Sequence, residues 1–584
     1  MPQQTIAMET YVRRSFNYLT RMVDVDGLPY FNVFRTRPAE AAHDWPDFGD
    51  VTSRQLQAAI MARHMTGEEL TVERVWREKV LSYLDPASGL LYRPATTFSQ
   101  HVADAGDQAL TLYALVTAYL DHPHDTMRHA VTHLVDGMLE RVEREGLEQG
   151  FLGGFAIKSL VTCARLMSYE PALRLAARAV DAVFAERWDG SGKGPLFMPD
   201  NTFRQGGHMH GNLRTLAGAA DFAMYVRDPL LYSRVDALYR YVRGESTRFG
   251  FLPEQIGRRG DVVLCETCAL MDYIGLATTL ANHGHPEYWG DVERVARNHL
   301  IESQLVDGSW LESDNSRADT GQVTWRDIGE RMVGGYAGWS SPNHFLAVHE
   351  TLGAHWGGPE LHSKPRAFQN CCGGSGTHAF FIVWKNAARF AGDCLSVNLH
   401  IDKLLPQAEI RGYQPFQGQL TIDVKQTCRV RVRIPEFTSF AEIRAEAGGR
   451  PVAAREWGNY IELGQRPAGE RLVIRYPLPV TAERVRIGNP GYRQYTYRVI
   501  WKGDTVVAIE PDGNDYATGY SDFDKCQVPV FYGTEGPGPL YRRSDWLPDA
   551  EPEPAPLGMD RGALDLWQIS GEAASGYRNQ KLAL

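Results

Sequence analysis

Two short stretches decide how this chain is interpreted: Cys265-Glu266-Thr267-Cys268 and, much later, Asn370-Cys371-Cys372-Gly373-Gly374. With the first cysteine left out, they supply one carboxylate and three thiols, from Glu266, Cys268, Cys371 and Cys372. Zinc prefers tetrahedral coordination by soft thiolates and also accepts a carboxylate oxygen. The four residues therefore make a complete candidate ligand set, although their spacing matches no zinc-finger pattern. The alternative is that small apolar thiols simply fill a core and the adjacent pair arose by chance.

The spacing of these residues also predicts the local backbone. Glu266 and Cys268 would point about 200° apart on a helix, whereas on extended backbone they share a face. We therefore expect this pair to lie just before a helix that covers the helix-like run 269–281. Because Cys371 and Cys372 are adjacent, we expect a bent loop to aim both sulfurs at one ion. The two glycines that follow permit such a bend.

The order of these motifs resembles a known family. The runs 266–269 (Glu-Thr-Cys-Ala), 370–372 (Asn-Cys-Cys), 395–401 (Leu-Ser-Val-Asn-Leu-His-Ile) and 431–435 (Arg-Val-Arg-Ile-Pro) follow the order and rough spacing of glycoside hydrolase family 127. That family comprises the β-L-arabinofuranosidases and their relatives, and the likeness spans roughly residues 45–535. The family's usual Cys-Cys-Pro-Pro is here Cys-Cys-Gly-Gly, and its acid/base glutamate is not at the usual distance before Glu-x-Cys. These departures indicate a distant branch.

The resemblance implies a function and a cofactor. It implies Zn²⁺ held by Glu266, Cys268, Cys371 and Cys372, with Cys371 as the nucleophile of a retaining exo-glycoside hydrolase. The expected substrate is a terminal furanose-type sugar, L-arabinofuranose or a related unusual sugar. The alternative function is a non-catalytic, zinc-stabilised carbohydrate-binding protein, and a carboxylic acid within reach of the thiols discriminates between the two. A lyase or unsaturated-uronyl hydrolase fits less well, because neither chemistry needs three thiols and a glutamate.

Glu254 is the candidate general acid and base. It lies in the run 249–255, Phe-Gly-Phe-Leu-Pro-Glu-Gln, an apolar setting that suits a general acid. The distance from the family's acid to Glu-x-Cys falls between the distances of Glu254 and Glu245, so neither matches cleanly. The environment favours Glu254, because Glu245 follows Arg243-Gly244 at a predicted helix end. A purely structural role for Glu254 is the alternative.

The candidate sugar contacts are charged, aromatic or imidazole side chains near predicted helix starts and loops: His101, His208, His210, Trp339, Asp50 and Arg54. In the resembled family a histidine at the place of His208 and His210 contacts sugar, and a second zinc pair or helix capping are the alternatives. Asp50 and Arg54 could hydrogen-bond vicinal hydroxyls, with an inter-helix ion pair as the alternative. Trp339 stands in a glycine-rich loop and could stack on a sugar face.

The hydrophobic period divides the chain into two main parts. Up to about residue 390 apolar residues recur at helical spacing, and 106–120 is apolar on nearly every side, as in a buried helix. Successive helical hairpins fit an α/α-barrel, which the resemblance implies, although periodicity alone does not distinguish it from a solenoid. From Leu395 onward alternation predicts the strands of a β-sandwich. We predict a multidomain α and β protein: a catalytic α/α-barrel (1–390), a β-sandwich (391–535) and an extended C-terminal arm (536–584), the fold of 559–584 staying open.

Composition narrows the choice of partners and compartment. The 584 residues are too many for one core, and a net charge of −10 without a basic run argues against nucleic acid. No signal-peptide core or membrane-spanning apolar run is visible, so no membrane partner is expected. Eight scattered cysteines indicate a reducing, cytoplasmic location. The expected partner is a small carbohydrate or oligosaccharide, and the oligomeric state, including a homo-oligomer, is left open.

Overall fold

The computed structural model describes residues 3–147, 151–185, 196–204, 207–256, 264–349, 366–489, 493–510, 519–523, 526–532 and 540–567. A helical half comes first and a half built of strands follows, and the change occurs at residues 386–388. The predicted multidomain α and β class is therefore confirmed. No helix within these ranges is both long enough and apolar enough to span a membrane.

The helices occupy most of the described chain before residue 387. Their bounds are α1 Met8–Arg21, α2 Thr52–Thr66, α3 Thr71–Ser82, α4 Ala105–Asp121, α5 Asp125–Glu145, α6 Phe151–Met167, α7 Glu170–Val183, α8 Met209–Val226, α9 Pro229–Glu245, α10 Thr267–Asn282, α11 Trp289–Val295, α12 Ile328–Met332 and α13 Cys371–Asn386. A short π-helical turn, Asp47–Val51, leads into α2.

The inner helices form a closed ring. α2 packs against α4, α4 against α6, α6 against α8, α8 against α10 and α10 against α13, and α13 returns to α2. The helices α3, α5, α7 and α9 lie outside this ring, each against the inner helix before it. Because the last inner helix contacts the first, the helical half is a closed barrel and not a solenoid. The predicted α/α-barrel is confirmed.

The sequence of each helix suits its layer. α4, an inner helix, is buried from Ala105 to Ala118 because apolar and small residues surround it on all sides, and Asp104 caps it by accepting a hydrogen bond from the amide of Gly106. α7, an outer helix, buries one face that includes Leu173 and Val180. Since one outer helix separates most successive inner helices, the inner helices run in the same direction. Their N-termini therefore meet at one end of the barrel, where both cysteine motifs lie.

The strands are short in the helical half and longer after it. Their bounds are β1 Asn32–Phe34, β2 Glu40–Ala42, β3 Gly207–His208, β4 Gln255–Ile256, β5 Cys265–Glu266, β6 Val323–Thr324, β7 Trp339–Ser340, β8 Ala347–His349, β9 Arg366–Gln369, β10 Ala388–Ala391, β11 Cys394–Val397, β12 Lys403–Leu405, β13 Ala408–Gly412, β14 Gln419–Val424, β15 Cys428–Arg433, β16 Arg444–Ala447, β17 Arg450–Pro451, β18 Arg455–Trp457, β19 Tyr460–Arg466, β20 Arg471–Arg475, β21 Val480–Asn489, β22 Arg493–Lys502, β23 Thr505–Glu510, β24 Gly519–Phe523 and β25 Cys526–Tyr532.

Two of the sheets form the predicted β-sandwich. One has the order β10-β11-β15-β19-β18 and the other β12-β13-β14-β20-β16-β17. Alternate residues of both sheets, such as Leu395 and Val430 in the first and Leu420 and Ile474 in the second, share one apolar core. β21–β23 form a separate sheet, whereas β25 pairs with β24 on one side and with β8 of the helical half on the other, and β8 pairs in turn with β9. The exact domain boundaries stay a prediction.

The described part of the C-terminal arm, 540–567, is mostly extended backbone that packs on both halves. Glu553 forms a parallel bridge with Gln4 near the start of the chain. Asp560 pairs with two buried lysines, Lys385 and Lys403, at 2.9 Å each. Trp567 is fully buried inside the barrel. The arm takes its conformation from these partners.

Candidate functional site

The four predicted metal ligands meet at one point. The Sγ atom of Cys268 lies 3.7 Å from that of Cys371 and 3.4 Å from that of Cys372. One oxygen of Glu266 joins them, so that the four ligand atoms all lie within 4.8 Å of one another. All four side chains are buried. Residues more than a hundred positions apart along the chain thus form a single cluster, which we call the thiol cluster (Glu266, Cys268, Cys371 and Cys372).

The spacing of the thiol cluster fits a tetrahedral zinc ion. With Zn–S bonds of about 2.3 Å, the sulfurs of a tetrahedral site lie roughly 3.7 Å apart. The sulfur separations of 3.4 and 3.7 Å are close to that value. They are far longer than the ~2.05 Å of a disulfide. Three thiols and one carboxylate are also a donor set that zinc accepts, so the residues present fit this metal.

The backbone supplies these side chains in a way that the sequence predicted only in part. Glu266 ends the extended segment β5, as expected, but Cys268 lies inside the first turn of α10. The predicted bent loop at Cys371 and Cys372 is wrong, because both residues begin α13. Bonds from Cα to Cβ tilt toward the N-terminus of a helix. A helix that meets the site end-on can therefore aim two adjacent cysteines at one ion.

The two glycines after the cysteines serve packing and not a bend. A Cβ atom on Gly373 would lie 2.3 Å from the ring of Tyr18, and one on Gly374 would lie 2.8 Å from the backbone of Arg54. Tyr18 in turn donates a hydrogen bond to the carbonyl oxygen of Asn370 at 3.3 Å. Helices α1 and α2 thus approach the first turn of α13 so closely that only glycine fits there.

The surroundings of the thiols favour negative charge on Cys371 in the metal-free protein. Cys268 donates a hydrogen bond to Cys371, and this bond, together with one from Cys372, lowers the pKa of Cys371 to about 6. Burial raises the pKa of Cys268 to about 12. The N-termini of α10 and α13 both point at the cluster, and helix N-termini stabilise thiolates.

Glu254 and His208 lie beside the thiol cluster. β3, which ends at His208, pairs with β4, which follows Glu254 directly. The His208 Nε2 atom lies 3.1 Å from a Glu266 oxygen, and a Glu254 oxygen lies within 4.8 Å of both groups. The surrounding protein partly desolvates the His208 ring, which opposes its charged form, but the hydrogen bond to Glu266 raises its pKa to about 9. Glu245, by contrast, is exposed at the end of α9.

His210, Arg54 and Asp50 lie beneath the cluster. The Arg54 guanidinium contacts Cys268 Sγ at 3.7 Å and His210 Nε2 at 3.3 Å, and its Nε atom pairs with Asp50 in the same helical segment. The other ring nitrogen of His210, Nδ1, bonds to Asp272. Burial lowers the pKa of His210 well below its usual value, so the neutral ring donates to Asp272 and accepts from Arg54. Arg54 and His210 are thus directed at each other and the thiols.

Trp339 and His101 differ in their relation to the site. Trp339 is paired with Glu266 across β5 and β7, and only 3% of it is exposed. His101 is exposed at the same end of the barrel, where it stacks on Tyr92 and its Nδ1 atom lies 3.0 Å from the carbonyl oxygen of Arg93. Its described contacts are with that loop and not with the thiol cluster.

Two further residues of the site were missed by the sequence reasoning, Asp272 and Arg214. A usable signal existed, because Asp272 is four residues after Cys268 and Arg214 is four residues after His210. Residues four apart on a helix share a face. Once α8 and α10 are recognised as helices that start at these motifs, the second turn of each must lie beneath the first.

Comparison with known proteins supports the fold. No sequence-based family model matches the chain, and no curated protein sequence matches it. Solved structures do match. A GH127 β-L-arabinofuranosidase from Geobacillus stearothermophilus T6 is 14% identical, with 85% of this chain and 80% of that chain covered and a TM-score of 0.55. A second GH127 β-arabinofuranosidase is 15% identical, with 85% and 79% covered and a TM-score of 0.56.

A third solved structure, described as a glycoside hydrolase, is 12% identical, with 86% and 83% covered and a TM-score of 0.57. These likenesses extend over both the barrel and the strand-rich half. At such low identity they establish the fold, and the resemblance predicted from the motifs is confirmed at that level. The protein thus has the architecture of the family-127 glycosidases, an α/α-barrel followed by a β-sandwich.

Proposed function

We propose that this protein is a retaining exo-glycoside hydrolase that releases a terminal furanose-type sugar, L-arabinofuranose or a related unusual sugar. The observation that carries the proposal is the thiol cluster with a further carboxylate, Glu254, beside it. That pairing supplies a nucleophile and an acid in one place, as a retaining glycosidase requires. The fold shared with proteins described as β-arabinofuranosidases supports the substrate class.

Glu266, Cys268, Cys371 and Cys372 would hold Zn²⁺. When bound, zinc keeps its sulfur ligands deprotonated at neutral pH and withdraws part of their negative charge. His208 orients Glu266 through its hydrogen bond, and Arg54 lies against Cys268 from below. These contacts fix the ligand side chains before any substrate arrives.

Cys371 is the proposed nucleophile. It is the thiol with exposed surface, 3%, whereas Cys268 and Cys372 are fully buried. In the first step the Cys371 sulfur forms a bond to the anomeric carbon while the bond from that carbon to the leaving oxygen breaks. The electron pair of the broken bond stays on the oxygen, and the carboxylic acid of Glu254 donates its proton there.

In the second step the same groups act in reverse. The Glu254 carboxylate takes a proton from a water molecule, whose oxygen attacks the anomeric carbon. The carbon–sulfur bond breaks, and its electron pair returns to Cys371 as thiolate. Each step inverts the anomeric carbon, so the product keeps the configuration of the substrate.

The candidate sugar contacts divide by exposure. The His208 side chain is 43% exposed at the rim, next to Glu254, and is the best placed to reach a hydroxyl group. Asp50 is 23% exposed and is the next candidate. Arg54, His210 and Trp339 are buried, so we propose that they act from behind the cluster.

A mechanism-based probe tests the nucleophile. A haloacetamide or cyclophellitol-type analogue of a furanose that the enzyme cleaves from a nitrophenyl glycoside panel should label Cys371, as shown by peptide mapping. The first-formed product should have the substrate's anomeric configuration by NMR. Label on a carboxylate, or an inverted product, would refute the mechanism. Zinc and sugar binding without any turnover would favour the non-catalytic carbohydrate-binding protein instead.

Glu254→Gln tests the acid. Activity on substrates with poor leaving groups should fall about 10²- to 10⁴-fold, because only these need protonation, while activated aryl glycosides lose far less in the first step. Glu245→Gln is the matched control and should leave both rates near wild type. Equal losses on both substrate types, or a larger effect of Glu245→Gln, would place the acid elsewhere.

A further inference from the structure

The thiol cluster has a charge that its ligands alone do not balance. A divalent zinc ion held by three thiolates and one carboxylate leaves two net negative charges in a buried place. Buried charge costs free energy unless opposite charge lies nearby. Two buried arginines of this chain, Arg54 and Arg214, are the cations on the interior side of the cluster.

Arg54 is the first of these cations. It lies on α2, is 8% exposed, and its Nη1 atom is 3.7 Å from Cys268 Sγ and 3.1 Å from the hydroxyl oxygen of Ser375. A guanidinium at this distance stabilises a thiolate more strongly than a thiol. Asp50 pairs with the Nε atom on the outer side of the same guanidinium and so competes with the cluster for its charge.

Arg214 is the second cation. It lies on α8, is 4% exposed, and its guanidinium carbon is 5.4 Å from the ring centres of both Tyr113 and Phe155. Its Nε atom makes one long hydrogen bond, 3.4 Å, to the carbonyl oxygen of Phe155. Over the residues that the structure describes, Arg214 has no carboxylate at ion-pair distance. The buried carboxylate that most affects the charge of Arg214 is Asp272, which is shared with His210, so this cation needs further negative charge close by.

A small cavity lies between the two arginines. Its volume is about 10 Å³, and Arg54, Arg214, Ser375 and His378 contribute to its walls. This is room for about one water molecule and no substrate. Both arginines therefore line one small space, with no room for a larger counterion.

We propose that Arg54 and Arg214 are positioning residues that form a cationic floor, balancing the negative charge of the metal-loaded thiol cluster. The cationic floor (Arg54 and Arg214) rests on the zinc site of the proposed function. It acts through the ligands and touches neither substrate nor metal. Its charge sets how tightly the cluster holds its ion.

Zinc affinity is the direct test. Competition with a chromophoric chelator should show that Arg54→Gln weakens zinc binding roughly 10- to 100-fold, the range found when groups that support metal ligands are removed. Arg54→Lys, which keeps the charge, should recover most of that loss. Arg214→Met should weaken binding in the same direction, while Arg214→Lys should stay closer to wild type. Cobalt substitution gives a spectroscopic readout. The thiolate-to-cobalt absorption should persist to a higher chelator concentration in the lysine variants than in Arg54→Gln and Arg214→Met.

Asp50→Asn should change zinc affinity in the opposite direction. Removing this carboxylate frees Arg54 for the cluster, so zinc should bind more tightly than in the wild type. A merely structural role for Arg54 would lower the melting temperature of metal-free and loaded protein equally and would leave zinc affinity unchanged. The cationic floor predicts that the zinc-induced rise in melting temperature shrinks in Arg54→Gln and grows in Asp50→Asn.

The failures of the two proposals are distinguishable. Equal zinc affinities in wild type, Arg54→Gln and Arg214→Met would overturn the cationic floor and leave the metal site intact. A wild-type protein that binds no zinc would overturn both. If Arg54→Gln does not fold, weaker zinc binding in Asp50→Asn, a variant that keeps every buried cation, would still refute the proposal.

Discussion

The barrel–sandwich junction holds a second buried polar cluster, which we call the junction cluster (Glu293, Arg297, Arg433 and His400). There the carboxylate of Glu293 accepts hydrogen bonds from Arg297 at 2.7 Å, from the backbone amide of His400 at 3.1 Å, and from Arg433. Burial opposes its charge, but the two arginines lower the pKa of Glu293 to about 2. Every charge of this cluster has its partner within the fold.

The thiol cluster is the reverse case. Burial and the neighbouring Cys268 raise the pKa of Glu266 to about 7 in the metal-free protein, because groups that carry negative charge are gathered there. Two clusters of similar burial thus differ in charge balance. The junction cluster is complete without a ligand and holds two domains together. The thiol cluster needs an added cation as well as the nearby arginines to balance its charge, which is the mark of a site.

The largest effect should come from the thiol cluster. Cys371→Ala should reduce turnover of an activated furanoside about 10⁴-fold or more, because removal of a nucleophile leaves only binding and polar stabilisation. Initial rates on the best substrate of the panel measure this. Cys265→Ala is the control, since Cys265 is equally buried in the same segment but lies outside the cluster. A residual rate within tenfold of wild type would contradict a catalytic Cys371.

A substitution in the junction cluster should lower the free energy of unfolding and leave the zinc content unchanged. Glu293→Gln should lower the free energy of unfolding by about 3–5 kcal/mol, because it leaves two buried arginines without their carboxylate. Urea unfolding measures the loss, and zinc content should stay at wild-type level. Asp393→Asn, in an exposed pair with Arg429, is the control and should cost less than about 1 kcal/mol. Loss of zinc in Glu293→Gln would mean that the two clusters are coupled.

The pH dependence of the free energy of unfolding should show that the junction cluster stabilises the charged form of Glu293. The folded-state pKa of Glu293 is depressed, from 4.5 to about 2, so its contribution is present above pH 4.5 and is lost as the pH falls toward 2. By linkage that contribution is about 3 kcal/mol. The stability difference between wild type and Glu293→Gln should therefore shrink over this window. A difference that stays constant down to pH 2 would show that the fold does not depress the pKa of Glu293.

The smallest effect concerns the packing around the thiol cluster. Gly373→Ala should cost about 1–3 kcal/mol, because the added methyl group would overlap the ring of Tyr18. Thermal unfolding of the metal-free protein measures it. Gly244→Ala, where nothing lies within 4 Å of the new atom, is the control and should be neutral. A harmless Gly373→Ala would show that α1 can move away from α13.

The sequence predicted those features that local pattern or residue type determines. The ligand set follows from residue type, and the helix-rich and strand-rich halves follow from the change of hydrophobic period. The start of α13 at Cys371 could not be predicted, because the glycines that follow are required by close packing against Tyr18, which lies hundreds of residues earlier in the chain. Arg214 was missed for a similar reason, since nothing local shows that this buried arginine has no carboxylate at ion-pair distance among the described residues. Such features depend on tertiary contacts.

The packing of the barrel is completed only by the C-terminal arm, which is synthesised last. Trp567 lies inside the barrel against Phe381 of α13, and its ring is 5.8 Å from the Nζ atom of Lys158 on the facing helix α6. Thr5 meets Glu553, a partner 548 residues later. A chain still on the ribosome therefore has all its barrel helices before the tryptophan that packs between α6 and α13 has been made. We expect translation that stops within the sandwich to leave Phe381 without its Trp567 partner, and such an uncovered apolar surface is one by which proteases and chaperones distinguish incomplete copies from finished ones.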